Sequence, residues 1–124
     1  MTDANRFQSS FFTVEGREAA AVLTVCCDQL TEEENLEQFD QDFSAVVERF
    51  ATRKIVLDLH TVTYITSAAI GKLITFHRRL GRYDGSLVLC GLRDEVRDIL
   101  ETSHLLNYFR TASDVPAALT LLDE

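Results

Sequence analysis

Two adjacent hydroxyls, Thr66 and Ser67, stand where a short apolar run ends and an amphipathic segment begins, within KIVLDLHTVTYITSAAIGKLITFHRRL (Lys54 to Leu80). A hydroxyl in the first turn of a helix can do one of two things. It can cap the helix by accepting a backbone N–H. It can also carry a phosphoryl group, because the unpaired N–H groups and the positive dipole end at that position suit an anion. The residues alone leave both roles open for Ser67 and Thr66.

Other side chains with chemical potential do not assemble by spacing. Cys26 and Cys27 are adjacent and point to opposite sides of a strand, and Cys90 lies in a separate apolar run. No C-x-x-C and no Cys/His pair at zinc spacing occurs, so the three cysteines read as small buried hydrophobes. His60, His77 and His104 are scattered, and His77 falls on an apolar helical stripe, as a packed residue would. Asp58 invites comparison with a receiver phosphoacceptor. That chemistry needs several carboxylates at strand ends around Mg²⁺, and only Asp28 directly follows an early strand. Ser67 has no G-x-S-x-G elbow around it, and no glycine-rich phosphate loop is present. No catalytic residue, metal ligand or cofactor is expected, and the chain reads as a non-enzyme.

Charge narrows the partners. Twenty Asp and Glu against 12 Lys and Arg give a net charge of −8. Nucleic-acid binding draws on clustered cations, which this chain lacks outside Lys72, Arg78, Arg79 and Arg82. Six acids between Thr31 and Asp42 (Glu32, Glu33, Glu34, Glu37, Asp40 and Asp42) read as a solvated helix face near the favourable N-terminal end, with an electrostatic docking face for a basic partner as the alternative. No run approaches the roughly 20 apolar residues of a membrane span. The first ten residues lack the basic start and apolar centre of a signal peptide, and a cytoplasmic location is expected.

The elements that must position Ser67 follow from periodicity. With 46% apolar residues and eight Phe, 124 residues suffice for one packed domain. Residues 1–10 read as an extension and 11–124 as the domain. Phe11–Glu15 and Ala19–Val25 read as a hairpin turning at Glu15-Gly16-Arg17. A helix follows from Thr31, which forms a capping box with Glu34 and carries Leu36, Phe39, Phe43, Val46, Val47 and Phe50 on one face. Lys54–Leu59 reads as a central strand. The helix after Thr66 presents Ile70, Leu73, Ile74, His77 and Leu80 inward and ends near Gly81, before the turn Tyr83-Asp84-Gly85. Leu87–Cys90 is a second buried strand, Arg93–Thr102 a short helix and Tyr108–Thr111 a short strand. Ser113 caps a last helix with Pro116 in its first turn. Strand–helix–strand crossovers imply parallel pairing in an α/β domain, with ligand-facing loops beyond the carboxyl ends of the strands.

On these residues the chain resembles the STAS domain family, the anti-sigma factor antagonists of bacteria. Val56-Leu57-Asp58-Leu59 matches the family's strand and Tyr64-Ile65 its loop. Ser67 matches the first serine of the Asp-Ser-Ser/Thr-Gly-Leu-Gly motif, and Ile70-Gly71 the closing Leu-Gly. Thr66 stands where the motif has Asp, and Ala68-Ala69 where it has Ser/Thr-Gly. Gly85 to Leu92, Glu95 to Leu105 and Ala117-Ala118-Leu119 follow the rest of the layout.

The resemblance implies a single STAS-like α/β domain, a mixed sheet of four to five strands with about four helices. It also implies a partner-switching regulator. Ser67 would be the phosphoacceptor, with Thr66 a second candidate. Tyr64, Ile65, Thr66, Ser67, Ala68, Ala69, Ile70, Gly71 and Lys72 would bind the partner. That partner would be an anti-sigma factor or switch kinase of the histidine-kinase-like ATPase type, with a phosphatase to reset the switch. A STAS-like scaffold that takes no phosphate is the alternative.

Overall fold

The computed structural model describes residues 11–17, 20–30, 33–50 and 53–122. In chain order they form β1 (Phe12–Arg17), β2 (Ala20–Val25), β3 (Gln29–Leu30), α1 (Glu33–Phe50), β4 (Lys54–Asp58), β5 (Tyr64–Ile65), α2 (Ser67–Gly81), β6 (Ser86–Cys90), α3 (Asp94–Thr102), β7 (Arg110–Ala112) and α4 (Val115–Leu122). The main sheet runs β1-β2-β4-β6-β7. β1 is antiparallel to β2, and every other neighbour is parallel. A five-stranded mixed sheet with four helices among the described residues is the α/β architecture that the periodicity predicts.

Alternation along the central strands sorts the core into two layers, since successive side chains point to opposite faces. Leu23, Ile55, Leu57, Leu87 and Leu89 join the larger cluster with residues of α1, α2 and α3. Val22, Val56, Val88 and Cys90 face the other way, onto Ala118 and Leu122 of α4. With helices on both faces, the middle strands read as continuous apolar runs, as buried parallel strands do.

Several expectations need correction. Glu15-Gly16-Arg17 is not a turn: all three residues lie in β1, opposite Val22, Ala21 and Ala20. Glu15 and Arg17 share a strand face, where their side chains pair at 3.1 Å. The connection falls at residues 18–19, outside the described residues. The α4 cap is Asp114, whose carboxylate accepts the Ala117 N–H at 2.9 Å. Ser113 stands one residue too early to reach that donor, which is the third residue of the helix and lies in its first turn. Thr31 of the expected capping box also lies outside the described residues.

The buried stripe of α2 is Ala69, Ile70, Leu73, Phe76 and Leu80. Phe76 joins the expected positions because α1 offers aromatic partners, while Ile74 packs half-buried against the core and His77 is half-buried. The Phe76 ring stacks on Phe43 at 3.9 Å and meets Phe39 edge-on at 5.5 Å. Two glycines are demanded by space. A Cβ on Gly85 would lie 2.4 Å from the Arg53 carbonyl oxygen. Gly91 has φ +68°, and its Cβ would lie 2.7 Å from the Asp58 carboxylate.

Candidate functional site

Residues 59–66 carry the chain from the end of β4 to the start of α2, and backbone bonds hold this loop on both sides. Leu59 N–H donates to Cys90 at 2.9 Å, tying the loop to β6. Asp28 C=O accepts from both the N–H and the hydroxyl of Thr63, at 2.8 and 3.2 Å. Beyond it, Tyr64-Ile65 pairs in parallel with Gln29-Leu30. These two-residue strands carry no readable period, so the small second sheet is not legible in the sequence. It nevertheless places the helix start, because the Thr66 N–H donates to Leu30 C=O at 3.1 Å.

Thr66 is the N-cap, with extended backbone at φ −96° and ψ 170°. Its Oγ1 accepts the Ala69 N–H at 3.3 Å and donates to Leu30 C=O at 3.4 Å. The capping role therefore belongs to Thr66, and both capacities of its half-buried hydroxyl are engaged. Ser67 is the first residue of the helix and is exposed. Among the described residues nothing hydrogen-bonds its hydroxyl, and no acidic side chain stands in the first turn. The adjacent hydroxyls thus have different situations, one tied into the fold and one facing solvent.

The stretch from Tyr64 to Lys72 divides by burial. Ile65, Ala69 and Ile70 are 2%, 1% and 5% exposed and belong to the core. Packed into the core, these three side chains offer little surface to a partner. Tyr64, Ser67, Ala68 and Gly71 are exposed, with Thr66 and Lys72 half-buried. Lys72 is drawn toward α1, where Asp40 accepts from it at 3.1 Å and from Arg79 at 3.2 Å. Burial works against ionisation of Asp40, but the hydrogen bonds and charges of Lys72 and Arg79 outweigh it and hold the carboxyl below the usual range.

Elsewhere the reactive groups stay apart. Asp58 Oδ1 accepts from the His60 backbone N–H at 3.0 Å and lies 2.9 Å from His60 Nδ1. Among the described residues no three His, Cys, Asp or Glu side chains gather as a cation site, so a receiver-like role has no carboxylate cluster to rest on. Burial, followed by the charges of Asp58 and Asp114, pushes the Cys90 thiol up to about 12. Cys27 is raised as well, chiefly by desolvation. Cys26 is exposed, contrary to the expectation of three buried cysteines, because it lies just past the end of β2. His77 packs edge-on to Tyr108 at 5.0 Å, and its buried Nδ1 has no hydrogen-bond partner among the described residues.

The STAS domain family model matches residues 2–118. The chain belongs to the STAS domain family. A Bordetella bronchiseptica protein provisionally named anti-sigma factor antagonist BtrV is 33% identical over 97 residues, 78% of this chain and 83% of that protein. Among solved structures, an anti-sigma-factor antagonist (STAS) domain protein from Planctomyces limnophilus superposes with a TM-score of 0.80 at 21% identity, covering 91% of this chain and 98% of the other. The Bacillus cell fate determinant SpoIIAA in its phosphorylated form gives 0.65 at 18% identity, over 89% and 98% of the two chains. At these identities the two structures establish a shared STAS fold. No helix of the described residues is long and apolar enough to cross a membrane.

Proposed function

We propose that this STAS domain is a cytoplasmic, non-enzymatic partner-switching regulator of the anti-sigma factor antagonist type, controlled by phosphorylation of Ser67. Unmodified, it binds a switch kinase of the histidine-kinase-like ATPase type and so frees that kinase's transcriptional target. Phosphorylated, it lets go, and a phosphatase resets it. The observation that carries this reading is the division of labour at the start of α2. Thr66 does the capping, so the Ser67 hydroxyl is exposed and free of any structural duty. Thr66 is the poorer acceptor because its hydroxyl serves Ala69 and Leu30. The names of BtrV and of phosphorylated SpoIIAA point in the same direction.

The chemistry is economical. A phosphoserine at this position adds about −1.5 to −2 charges and three acceptor oxygens. The open N–H groups of the first turn and the helix dipole accommodate that charge within the domain. A partner surface built against a neutral hydroxyl has no such compensation, and 1.4 kcal/mol of mismatch already lowers affinity about tenfold. The switch then needs no change of fold.

A second reading is favoured by one feature, the absence of an acid beside Ser67, where Thr66 and Ala68 flank it. In that reading the domain binds its partner as a scaffold and takes no phosphate. Incubation with purified histidine-kinase-like ATPases of the source cell and Mg-ATP, followed by mass spectrometry, separates the two. Phosphate on the peptide containing Tyr64–Lys72, abolished by Ser67→Ala, is the expected result. An unmodified peptide with every such kinase that binds the domain assigns it to the scaffold class.

A further inference from the structure

The four cations of α2 and its C-cap lie on two different lines. At 3.6 residues per turn, Lys72 and Arg79 share the flank turned toward α1, where Asp40 accepts from both. Arg78 and Arg82 fall instead on the line that begins at Ser67 and passes through Gly71 and Thr75. This line points directly away from the buried Leu73, Phe76 and Leu80. Both arginines are exposed, and among the described residues no acid pairs with either. Eleven and 15 residues separate them from Ser67, which at 1.5 Å per residue is roughly 17 and 22 Å along the helix.

Gly71 sits between them and Ser67, exposed in the helix interior. A Cβ there would meet nothing within 4 Å. Glycine at such a position is less favourable in a helix than Ala, and among the described residues no contact calls for it. The Thr75 hydroxyl is satisfied within the helix, donating to Gly71 C=O at 3.0 Å. The line therefore offers bare backbone at Gly71, followed by two unneutralised guanidinium groups.

We propose that the kinase-type partner lays an acidic segment along this line, packing closely at Gly71 and pairing its carboxylates with Arg78 and Arg82. The inference rests on the functional reading of Ser67 and deepens it. A phosphate at Ser67 stands at the head of the same line and opposes those carboxylates of the segment that lie within a Debye length of it, near Gly71. A second copy of this chain fits less well, since two molecules of net charge −8 repel each other.

The test is equilibrium binding of the full chain to each purified histidine-kinase-like ATPase of the source cell, at low and high salt. The double variant Arg78→Glu/Arg82→Glu should fold normally by circular dichroism and bind about tenfold or more weakly, with the salt dependence of the wild type lost. Gly71→Ala should melt higher yet bind more weakly, and Arg97→Glu on α3 should bind as the wild type does. If an ATPase binds the wild type and the double variant equally, the acidic segment is refuted while the function stands. If none of them binds the wild type, both readings fall. A wild-type dimer that the same double reversal dissociates makes a second copy the occupant and overturns the proposal.

Discussion

The Thr66 hydroxyl oxygen stands 3.3 Å from the amide nitrogen of Ala69 and takes its hydrogen bond, closing the first turn of α2 one residue before the exposed Ser67. Truncating the two hydroxyls should therefore have unequal effects. Thr66→Ala removes the cap and the bond to Leu30 C=O, and should lower stability by about 1 kcal/mol, within the usual range for lost caps. Ser67→Ala removes an exposed hydroxyl and should stay within about 0.5 kcal/mol of the wild type. Urea denaturation of the two variants measures this directly. Equal losses would mean that Ser67 shares the capping role.

Asp40 links α1 to α2 through Lys72 and Arg79, with its side chain 20% exposed. Its carboxyl titrates lower in the folded chain than in the unfolded one, where the usual value is about 3.9. The sign follows from linkage. The stabilisation is present above the unfolded value and is lost as pH falls through the folded one. Asp40→Asn should thus be less stable than the wild type at neutral pH, and the gap should narrow below about pH 4. A pH-independent gap would assign the effect to packing rather than to charge.

Gly85 closes the connection between α2 and β6, where Ser86 N–H donates to Arg53 C=O at 2.8 Å. A methyl group at residue 85 collides with that carbonyl and with Leu80 C=O, 2.4 and 2.9 Å away. Both are backbone oxygens held by hydrogen bonds, from Ser86 N–H and Gly85 N–H respectively, and cannot swing aside freely. Gly85→Ala should lower stability by about 1–3 kcal/mol, as overpacking does. Thermal unfolding of this variant beside Gly81→Ala, whose Cβ meets nothing within 4 Å, isolates the steric part.

What the sequence discloses here tracks the range of the forces involved. Short continuous apolar runs in Lys54–Asp58 and Ser86–Cys90 and the three-four spacing in α1 are local signals, and the elements stand where those signals put them. The errors are non-local. Whether Glu15-Gly16-Arg17 turns or extends is decided by pairing with Ala20–Val22 across the hairpin. Phe76 turns inward because Phe43 and Phe39 of another helix meet it. The choice between cap and free hydroxyl at Thr66-Ser67 turns on Leu30 C=O, which is 36 residues away in sequence and reaches Thr66 through a two-residue sheet.

His77 is half-buried on α2, its ring edge-on to Tyr108 and Phe109 at 5.0 and 5.8 Å. Its buried Nδ1 has no hydrogen-bond partner among the described residues, and an unsatisfied buried polar atom costs about 1–3 kcal/mol. Phe keeps a ring in the same aromatic contacts and removes the orphan nitrogen. His77→Phe should raise stability by about 1 kcal/mol at pH 7, read from urea denaturation. A loss instead would show that the added ring volume, or a water bound at Nδ1, outweighs the gain.

Ser67→Asp separates what a negative charge does to the fold from what it does to binding. At the first residue of α2 the carboxylate meets open N–H groups and the positive end of the dipole, with no acid in that turn to repel it. Stability should be unchanged or rise by about 0.5 kcal/mol, and this gain should shrink in high salt. Affinity for the proposed kinase-type partner should fall at least tenfold in the same samples, because 1.4 kcal/mol of uncompensated desolvation is enough to do so. Calorimetric unfolding and binding titration of one preparation give both numbers. A variant that loses stability and affinity in proportion would place the effect in the helix start itself. Affinity lost from an equally stable domain would place it at the surface that Ser67 presents to its partner.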